Sequence, residues 1–442
     1  PKSSAVTVAE KWRYSFTSEL GKVAISKNGN YIIALNVSTA TFFDRNSNSS
    51  LWRFDLTGKT GFYEVAISED GQYIALTNDT DLYFLDKTVA NPKQEIWKYI
   101  INNDEMHIDM SDDGYYIAVG SEQDDSVYLF NRTLKTPKTY EWNYTLGFNP
   151  YSIAISGNGQ YIAAGGWDHY IYVFNTSDYQ GVPMWKYDTT NTVYHLSFSE
   201  DGQYLVTGND ADEEVYFFNV TDYQGVPMWN YTRDELSGSD LKDLDISGDG
   251  NYVAIAYDDD AFAGDPEGVV CLLNKTLSNN KLPEWSKKPF ISTSDTDYYM
   301  ESIAFSNDEN YIVAGYSQPT SPTPSYSSVL LYDREGLIWE GLNYTNDFYV
   351  KSVSISEKGD YFAVAEDGVT RHNLHLFYHP VPSPSGPSYI LPAADDDNDD
   401  EEQIDLTLPI VLTIVFVSIG GGIAIIYVLI KKGIIDISKL KR

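Results

Sequence analysis

The chain has 442 residues, of which 42% are hydrophobic and 14% aromatic, and its formal net charge is −34. This composition can bury a large core, but a surface this negative repels phosphate and so excludes nucleic acid as an expected partner. The single cysteine, Cys271, excludes an intramolecular disulfide.

Residues 1–10 are a polar lead-in before the first apolar run. The chain begins with Pro1 rather than methionine, which is compatible with an upstream signal peptide that is removed from the mature protein.

Residues 11–380 repeat one motif, Ser-x-x-Gly-x-Tyr, whose serines are Ser26, Ser68, Ser111, Ser156, Ser199, Ser247, Ser306 and Ser356. In the fourth copy, Gly157–Gln160 joins two short apolar runs, as expected for a hairpin turn. Two further runs follow, Tyr170–Phe174 and Met184–Tyr187, so each unit contains four short strands. The seventh copy has Glu309 where the other copies have glycine, which predicts a different turn there.

Each unit also carries a tryptophan, and the series is Trp12, Trp52, Trp97, Trp142, Trp185, Trp229, Trp285 and Trp339. The stretches Phe174–Tyr187 and Phe218–Tyr231 are nearly identical and lie one repeat length apart. Four-stranded units that repeat about every forty residues predict a β-propeller. The motif count favours eight blades, and seven blades plus a degenerate unit is the alternative.

The repeat resembles those of WD40-like propellers and of quinoprotein-like (PQQ-type) propellers. Gly336-Leu337-Ile338-Trp339 is similar to the outer-strand tryptophan motif of the quinoprotein group. The resemblance covers roughly residues 10–380 and implies an all-β fold of four-stranded antiparallel blades. It implies little about activity, because propellers support many unrelated functions.

The tryptophan series also predicts how the ring closes. Trp12 precedes the first serine motif, whereas no tryptophan follows the last one. The strand Lys11–Phe16 therefore has no blade of its own, and the last blade, Val350–Tyr378, lacks an outer strand. Pairing the two would remove an open sheet edge.

The C-terminal part changes composition twice. Residues 381–405 form a linker, first rich in proline and serine and then acidic at Asp395–Glu402. Residues 406–430 are uncharged and apolar, which predicts one transmembrane helix, Leu406–Ile430. Residues 431–442 begin with Lys431-Lys432, which predicts a cytoplasmic tail with the propeller outside the cell.

Small residues on one face of that predicted helix would permit close helix pairing, and hence a homo-oligomer or a larger membrane complex. They are Ser418, Gly420, Gly422 and Ala424. The alternative is that lipid tolerates these small residues without any pairing.

An exterior propeller predicts glycosylation, because Asn-x-Ser/Thr triplets are frequent. They begin at Asn36, Asn48, Asn78, Asn131, Asn143, Asn175, Asn219, Asn230, Asn274 and Asn343. A disulfide-free, sequon-rich, membrane-anchored exterior domain resembles archaeal surface proteins more than animal receptors.

In propellers of this type, the loops between second and third strands and those between blades share one face, called the upper face. The predicted loops here are irregular and include Trp167-Asp168-His169 and Asp258–Glu267. An exposed Trp167 indole, beside Asp168 and His169, could stack on a sugar or anchor a protein partner. The alternative, which the sequence favours, is that the indole packs against an adjacent loop. Asp258, Asp259 and Asp260 are further partner-binding candidates, although long loops can also simply tolerate insertions.

Metal and catalytic signals are weak. Asp258, Asp259, Asp260 and Asp265 are a weak Ca²⁺ candidate without EF-hand spacing, and the alternative, which the sequence favours, is a solvated acidic loop. His372, His375 and His379 are close in sequence, but their spacing does not place all three on one strand face, which weakens a zinc site. No G-x-S-x-G, P-loop or H-E-x-x-H motif occurs, and no motif carries over the cofactor ligands of the quinoproteins.

The sequence thus predicts a non-catalytic surface protein whose propeller serves binding, adhesion or cell-envelope assembly. The expected partners are the membrane and a protein or glycan on the upper face. The alternatives are a quinoprotein-type redox or sugar-handling enzyme and a subunit of a larger membrane complex.

Overall fold

The structure is a computed structural model that describes residues 7–55, 62–88, 95–101, 105–133, 139–209, 214–222, 224–232, 239–259, 267–276, 282–287, 299–317, 326–345, 348–368, 371–381, 412–419 and 422–429. Two compact units are present, Pro1–Ser383 and Pro384–Arg442. The first contains eight four-stranded antiparallel sheets, which are the blades of a propeller.

Blades 1 to 4 each use four consecutive strands. The strands of blades 1 and 2 are β2 (Leu20–Ile25), β3 (Tyr31–Asn36), β4 (Thr39–Asp44) and β5 (Ser50–Asp55), then β6 (Phe62–Ile67), β7 (Tyr73–Asn78), β8 (Asp81–Asp86) and β9 (Trp97–Ile100). Those of blades 3 and 4 are β10 (Met106–Met110), β11 (Tyr116–Ser121), β12 (Ser126–Asn131) and β13 (Trp142–Thr145), then β14 (Pro150–Ile155), β15 (Tyr161–Gly166), β16 (Tyr170–Asn175) and β17 (Trp185–Asp188).

Blades 5 to 7 follow the same order, and blade 8 takes its outer strand, β1 (Ala9–Phe16), from the start of the chain. The strands of blades 5 and 6 are β18 (Val193–Phe198), β19 (Tyr204–Asn209), β20 (Val215–Asn219) and β21 (Pro227–Tyr231), then β22 (Ser239–Ile246), β23 (Tyr252–Asp259), β24 (Glu267–Asn274) and β25 (Trp285–Lys287). Those of blades 7 and 8 are β26 (Tyr299–Phe305), β27 (Tyr311–Ser317), β28 (Tyr326–Asp333) and β29 (Gly336–Thr345), then β30 (Phe348–Ile355), β31 (Tyr361–Gly368) and β32 (His372–Tyr378). A short 3₁₀ turn, Val220–Asp222, follows β20.

The first strands of the eight blades surround a central channel. Each contacts the first strand of the next blade, and β30 contacts β2, so the ring is closed. Among the described residues, buried apolar side chains form eight clusters, one at each blade-to-blade interface. A single four-stranded sheet cannot bury its own faces, and the neighbouring blade therefore supplies the missing core.

The repeated Ser-x-x-Gly-x-Tyr motif forms the turn between first and second strands and also joins neighbouring blades. In blade 1 the Ser26 hydroxyl accepts a hydrogen bond from Tyr31 N at 3.0 Å. Gly71 of blade 2 has φ +69°, and a Cβ there would lie 2.5 Å from the Tyr31 ring. Glycine is thus required both by the turn and by the tyrosine of the preceding blade.

The predicted closure by the N-terminal strand is confirmed. β1 pairs antiparallel with β32, and Trp12 lies opposite Leu376. Trp12 Nε1 donates to the Arg45 carbonyl of blade 1 at 2.9 Å, as Trp229 Nε1 of blade 5 donates to Lys275 in blade 6 at 2.9 Å. Trp12 therefore joins blade 8 to blade 1 as an outer-strand tryptophan does elsewhere in the ring.

The second unit differs from the sequence-based prediction of a helix at Leu406–Ile430. The structure places two antiparallel strands here, β33 (Leu412–Ile419) and β34 (Gly422–Leu429), with Ile419 opposite Gly422. Valine and isoleucine, which are frequent in this segment, favour strands. In the portion of the chain that the structure describes, no helix is both long and apolar enough for a membrane span.

The helix-packing candidates lose their common helical face in this arrangement. Ser418 lies opposite Ile423, and Ala424 lies opposite Val417. Gly422 begins β34, whereas Gly420 lies outside the described residues. The spacing of four residues, on which the pairing argument depended, does not describe one face here, because Ser418 lies in β33 whereas Gly422 and Ala424 lie in β34.

Candidate binding face

Three aromatic side chains lie together on the upper face, where the connections between blades and between second and third strands meet. The Tyr151 and Tyr194 rings stack, with their centroids 5.3 Å apart and their planes 13° apart. The centroid of the Trp167 ring lies 6.3 Å from that of Tyr151. We call Trp167, Tyr151 and Tyr194 the aromatic row. Trp167 is 58% exposed, and Phe148 in the preceding connection is 57% exposed.

The propeller repeat explains why the two tyrosines stack. Tyr151 and Tyr194 each precede their repeat serine by five residues, on the neighbouring first strands β14 and β18. Equivalent positions in adjacent blades face the same way, so their rings meet. The sequence analysis did not identify either tyrosine as a site residue, although an alignment of the repeats on their serines would have placed the two side by side.

Trp167 lies in the connection between β15 and β16, and its two neighbours have structural roles. Trp167 N donates to the Asn149 carbonyl at 3.2 Å. Asp168 accepts hydrogen bonds from Tyr172 Oη at 2.6 Å and from Tyr170 N at 3.2 Å. Burial, reinforced by the Asp168 carboxylate, raises the pKa of Tyr172. Asp168 is thus engaged within the turn, which holds the indole in its exposed position.

His169 completes this turn. Its φ is +67°, and its carbonyl accepts hydrogen bonds from Thr189 N and Thr189 Oγ1, each at 2.8 Å. His169 is therefore a turn residue whose backbone connects the loop to the strand end of β17.

A cavity of about 190 Å³ opens beside the aromatic row at the channel mouth, and its lining includes Tyr151, Tyr194, Glu64, His195 and Asp243. Lys22 Nζ lies 3.4 Å from Glu64 Oε1, which raises the pKa of Lys22. His195 Nδ1 lies 3.7 Å from Asp243 Oδ1. This mixture of ring faces and charged groups is suited to binding.

Asp243 also shows how the channel wall is built. Its two oxygens accept hydrogen bonds from Ile303 N of the next blade at 2.8 Å and from Leu244 N at 2.9 Å. Burial raises its pKa to about 6, although these donors oppose the shift. Asp109 bridges blades 3 and 4 in the same way through Ile155 N, at 2.9 Å. These carboxyl groups connect neighbouring first strands around the ring.

Asp258, the first of the acidic candidates, lies near the end of β23 and is not exposed. Asp258 is only 1% exposed, and it accepts a hydrogen bond from Met300 N of blade 7 at 2.5 Å. Lys242 Nζ lies 3.4 Å from its other oxygen. This corrects the prediction that Asp258 lies in a solvated loop: it is a buried bridge between blades.

Of the other acidic candidates, only Asp259 lies within the described residues. Asp259 ends β23, and Asp260 and Asp265 lie outside the described residues. Within the described ranges, no group of three His, Cys, Asp or Glu side chains is placed to hold a metal ion.

The C-terminal histidines lie at or near the seam where β1 joins blade 8. His375 is fully buried, with Nδ1 2.8 Å from Glu10 and Nε2 3.0 Å from Glu366. His372 Nδ1 lies 2.5 Å from Asp367, and the His379 ring packs edge-on against Tyr311. The three rings therefore have separate partners.

Most of the asparagines predicted as glycosylation sites make hydrogen bonds that stabilise turns. Four of the asparagines end the third strand of a blade: Asn131, Asn175, Asn219 and Asn274. In each of them the side-chain oxygen Oδ1 accepts a hydrogen bond from the backbone N–H two residues later. Asp86 does the same in blade 2, with Thr88 N. An Asx turn thus accounts for the recurring triplet.

The remaining asparagines differ in accessibility. Asn36 and Asn78 are buried at turns between second and third strands, where their carbonyl oxygens accept backbone hydrogen bonds. Asn48 and Asn143 are exposed, and Asn230 is half-buried. Asn343 lies in β29, and its side chain is outside the described set.

The opposite, lower end of the channel is strongly acidic. A cavity of about 680 Å³ there is lined by the turns of the repeat motif, including Glu69, Asp112, Glu200 and Asp249. Lys27 Nζ pairs with Asp112 at 2.5 Å. Burial and the neighbouring carboxylate of Asp112 raise the pKa of Glu69.

Comparison with known proteins supports the fold. Residues 144–175 and 181–219 match the family model of the WD domain, G-beta repeat, which spans blade 4 and most of blade 5. Among curated proteins, none matches this chain significantly. The matched model gives no support to a quinoprotein-type repeat. The eight observed blades make the first unit a β-propeller, and the match in two of its repeats supports a likeness to WD40 propellers, which commonly serve as binding or scaffold modules.

Proposed function

We propose that this protein is a non-catalytic binding module that engages a protein partner through the aromatic row. The observation that carries the proposal is the exposure of the Trp167 indole next to the stacked Tyr151 and Tyr194 rings. Exposed aromatic groups that a rigid scaffold holds in place lose little conformational entropy on binding and often dominate an interface.

The rigid presentation of Trp167 supports this proposal. The turn that carries it is fixed by hydrogen bonds to Asn149, Tyr172 and Thr189. An aromatic residue that only filled a gap between loops would be largely covered by them, whereas more than half of this indole faces solvent.

Capture of partners by the tagged full chain from cells of its source tests the proposal. The Trp167→Ala variant should recover at least about tenfold less of a specific partner, as expected for loss of an interface hot spot. Tyr179→Ala is the matched control, because Tyr179 is 83% exposed in the blade 4 connection at the lower face. Equal recovery by both variants would contradict the proposal.

We further propose that the apolar segment, residues 406–430, tethers the propeller to the outer side of a cell membrane. The support is its uncharged run of residues and the Lys431-Lys432 pair that follows. The full chain should sediment with membranes and resist carbonate extraction, whereas a chain ending at residue 402 should remain in the supernatant. If both chains remain in the supernatant, the tether is wrong.

A further inference from the structure

Each first strand carries one polar residue at the upper mouth of the channel, four residues before the repeat serine. These residues are Lys22, Glu64, His107, Ser152, His195, Asp243, Ser302 and Ser352. The residue that follows each of them is apolar in every copy. In seven blades the pairing of first and second strands shifts register at or beside this position, and such bulges redirect side chains. We call the eight residues the polar ring.

In blades 6 to 8 the polar ring connects neighbouring first strands. Asp243 accepts a hydrogen bond from a backbone N–H of blade 7. The Ser302 hydroxyl accepts one from Val353 N at 3.3 Å, and the Ser352 hydroxyl accepts one from Val23 N at 3.4 Å. These members of the ring therefore fix the wall of the channel mouth.

The cavity of about 190 Å³ lies over the other side of the mouth, and its lining includes the five members of the polar ring from blades 2 to 6. Tyr151 and Tyr194 add the surface of their rings to its wall. Pockets for drug-sized ligands usually have volumes of about 300–1,000 Å³. This cavity is smaller, and its volume is comparable to that of one monosaccharide.

The charged groups of the polar ring are arranged in pairs. Lys22 Nζ lies 3.4 Å from Glu64 Oε1, and His195 Nδ1 lies 3.7 Å from Asp243 Oδ1. His107 has its own carboxylate partner at 3.3 Å. A charged ligand would have to displace one partner of a pair, whereas a neutral ligand can hydrogen-bond to the pairs as they stand. An ammonium group has three donors and a carboxylate accepts at several positions, so a pair has capacity for further hydrogen bonds.

We infer that this cavity binds a neutral polyhydroxyl molecule of the size of one monosaccharide. A hydroxyl group both donates and accepts, so it can donate to Glu64 and accept from Lys22 at the same time. The rings of Tyr151 and Tyr194 offer apolar surface to the C–H groups of such a ligand. The inference goes beyond the proposed function, because it assigns a small ligand to the channel mouth and does not involve the exposed indole.

Other small ligands fit these observations less well. With a net charge of −34, the chain repels anions such as phosphate. An organic cation would have to displace Lys22 or His195 from its carboxylate partner. A metal ion lacks a ligand set, since the described residues contain no group of three His, Cys, Asp or Glu that could hold one.

Titrations followed by saturation-transfer NMR test the inference on the full chain, in a detergent without a sugar headgroup. The probes are glucose, galactose and mannose, and at least one of these neutral hexoses should bind with a dissociation constant of about 1 mM. The uronic acid and the 2-amino sugar derived from that hexose keep its ring and add one negative or one positive charge. Each of these two should bind at least about tenfold more weakly.

Variants locate the site. The double variant Lys22→Met, Glu64→Met removes one pair without changing the net charge and should weaken hexose binding at least about fivefold. The matched control is Lys27→Met, Asp112→Leu, which removes the pair at the lower end of the channel and should leave the affinity within about twofold. The single variant Glu64→Gln keeps the shape of the side chain and should weaken binding about threefold, so that a folding defect of the double variant cannot account for the loss.

The outcomes separate this inference from the proposed function. The inference is overturned if no neutral hexose binds, if a charged counterpart binds as tightly, or if the two double variants lose affinity equally. Trp167→Ala should leave hexose affinity within about twofold, because Trp167 is not a member of the polar ring. A protein partner that is lost in this variant while hexose binding persists would support both proposals, and the failure of either one leaves the other intact.

Discussion

At the residue scale, Glu309 shows how the repeat tolerates a departure from its own motif. Glu309 occupies the position of the turn glycine with φ +66°, the same left-handed conformation as Gly250 at +70°. A side chain in this region is strained. Burial and the nearby Asp249 carboxylate also raise the pKa of Glu309 to about 7.

Glu309→Gly should therefore stabilise the propeller by about 1 kcal/mol, because it removes both the backbone strain and a carboxylate beside Asp249. Urea unfolding at pH 8 measures the change. Glu357→Gly, at a position outside the left-handed region, is the control and should not stabilise. An unchanged or lower midpoint for Glu309→Gly would show that its side chain makes a compensating contact.

At the scale of the element, strand β1 is held to blade 8 by a titratable cluster. His375 lies between Glu10 of β1 and Glu366 of β31. Burial lowers its pKa, but the two carboxylates outweigh burial and raise it above the ordinary value. Other charged groups at this seam are Arg13, 3.5 Å from Glu10, and the His372–Asp367 pair.

Folding raises the pKa of this histidine, so its charge stabilises the folded state. The stabilisation is complete at pH values below the pKa of the unfolded state, about 6.5, and it is lost as the pH rises through the pKa of the folded state. His375→Gln should thus lower the free energy of unfolding by about 1–3 kcal/mol at pH 5.5 and by less at pH 9. Urea unfolding at both values gives the difference.

His107→Gln is the control for this prediction, because His107 is half-buried at the channel mouth, away from the seam. It should change stability little at either pH. If the His375→Gln deficit were equal at pH 5.5 and pH 9, the ring would act by packing rather than by its charge.

At the scale of the whole molecule, buried carboxyl groups connect the blades of a very acidic ring. Burial raises the pKa of Asp109, Asp243 and Asp245 to about 6 each, and that of Asp258 to about 7. Each is hydrogen-bonded to a backbone N–H of the following blade. The ring therefore contains several groups that favour the protonated form in the folded state.

A carboxyl group whose pKa is raised by folding stabilises the fold at low pH, and this contribution is lost as pH rises from about 4 to the folded pKa. Stability should therefore increase as pH falls from 7.5 to 5.5, and added salt should raise it at pH 7.5 by screening the net negative charge. Calorimetry at two salt concentrations measures both effects. A melting temperature that fell between pH 7.5 and 5.5 would contradict this assignment.

The sequence by itself determined the propeller and the closing strand, and it favoured eight blades over seven. These follow from local rules: the serine and glycine of each turn, the spacing of the tryptophans and the unpaired Lys11–Phe16. The serine and the tryptophan each recur eight times, so a departure at one copy, such as Glu309 in place of glycine, does not alter the whole.

Only the tertiary structure decided which residues meet across blades. It stacks Tyr151 on Tyr194, buries Asp258 under Lys242 and places His375 between two glutamates from different strands. These contacts join residues far apart in sequence or on different strands, and periodicity does not report them. The apolar segment after residue 405 shows the same limit, because the same valines and isoleucines suit a membrane helix or a strand, and their surroundings decide between the two.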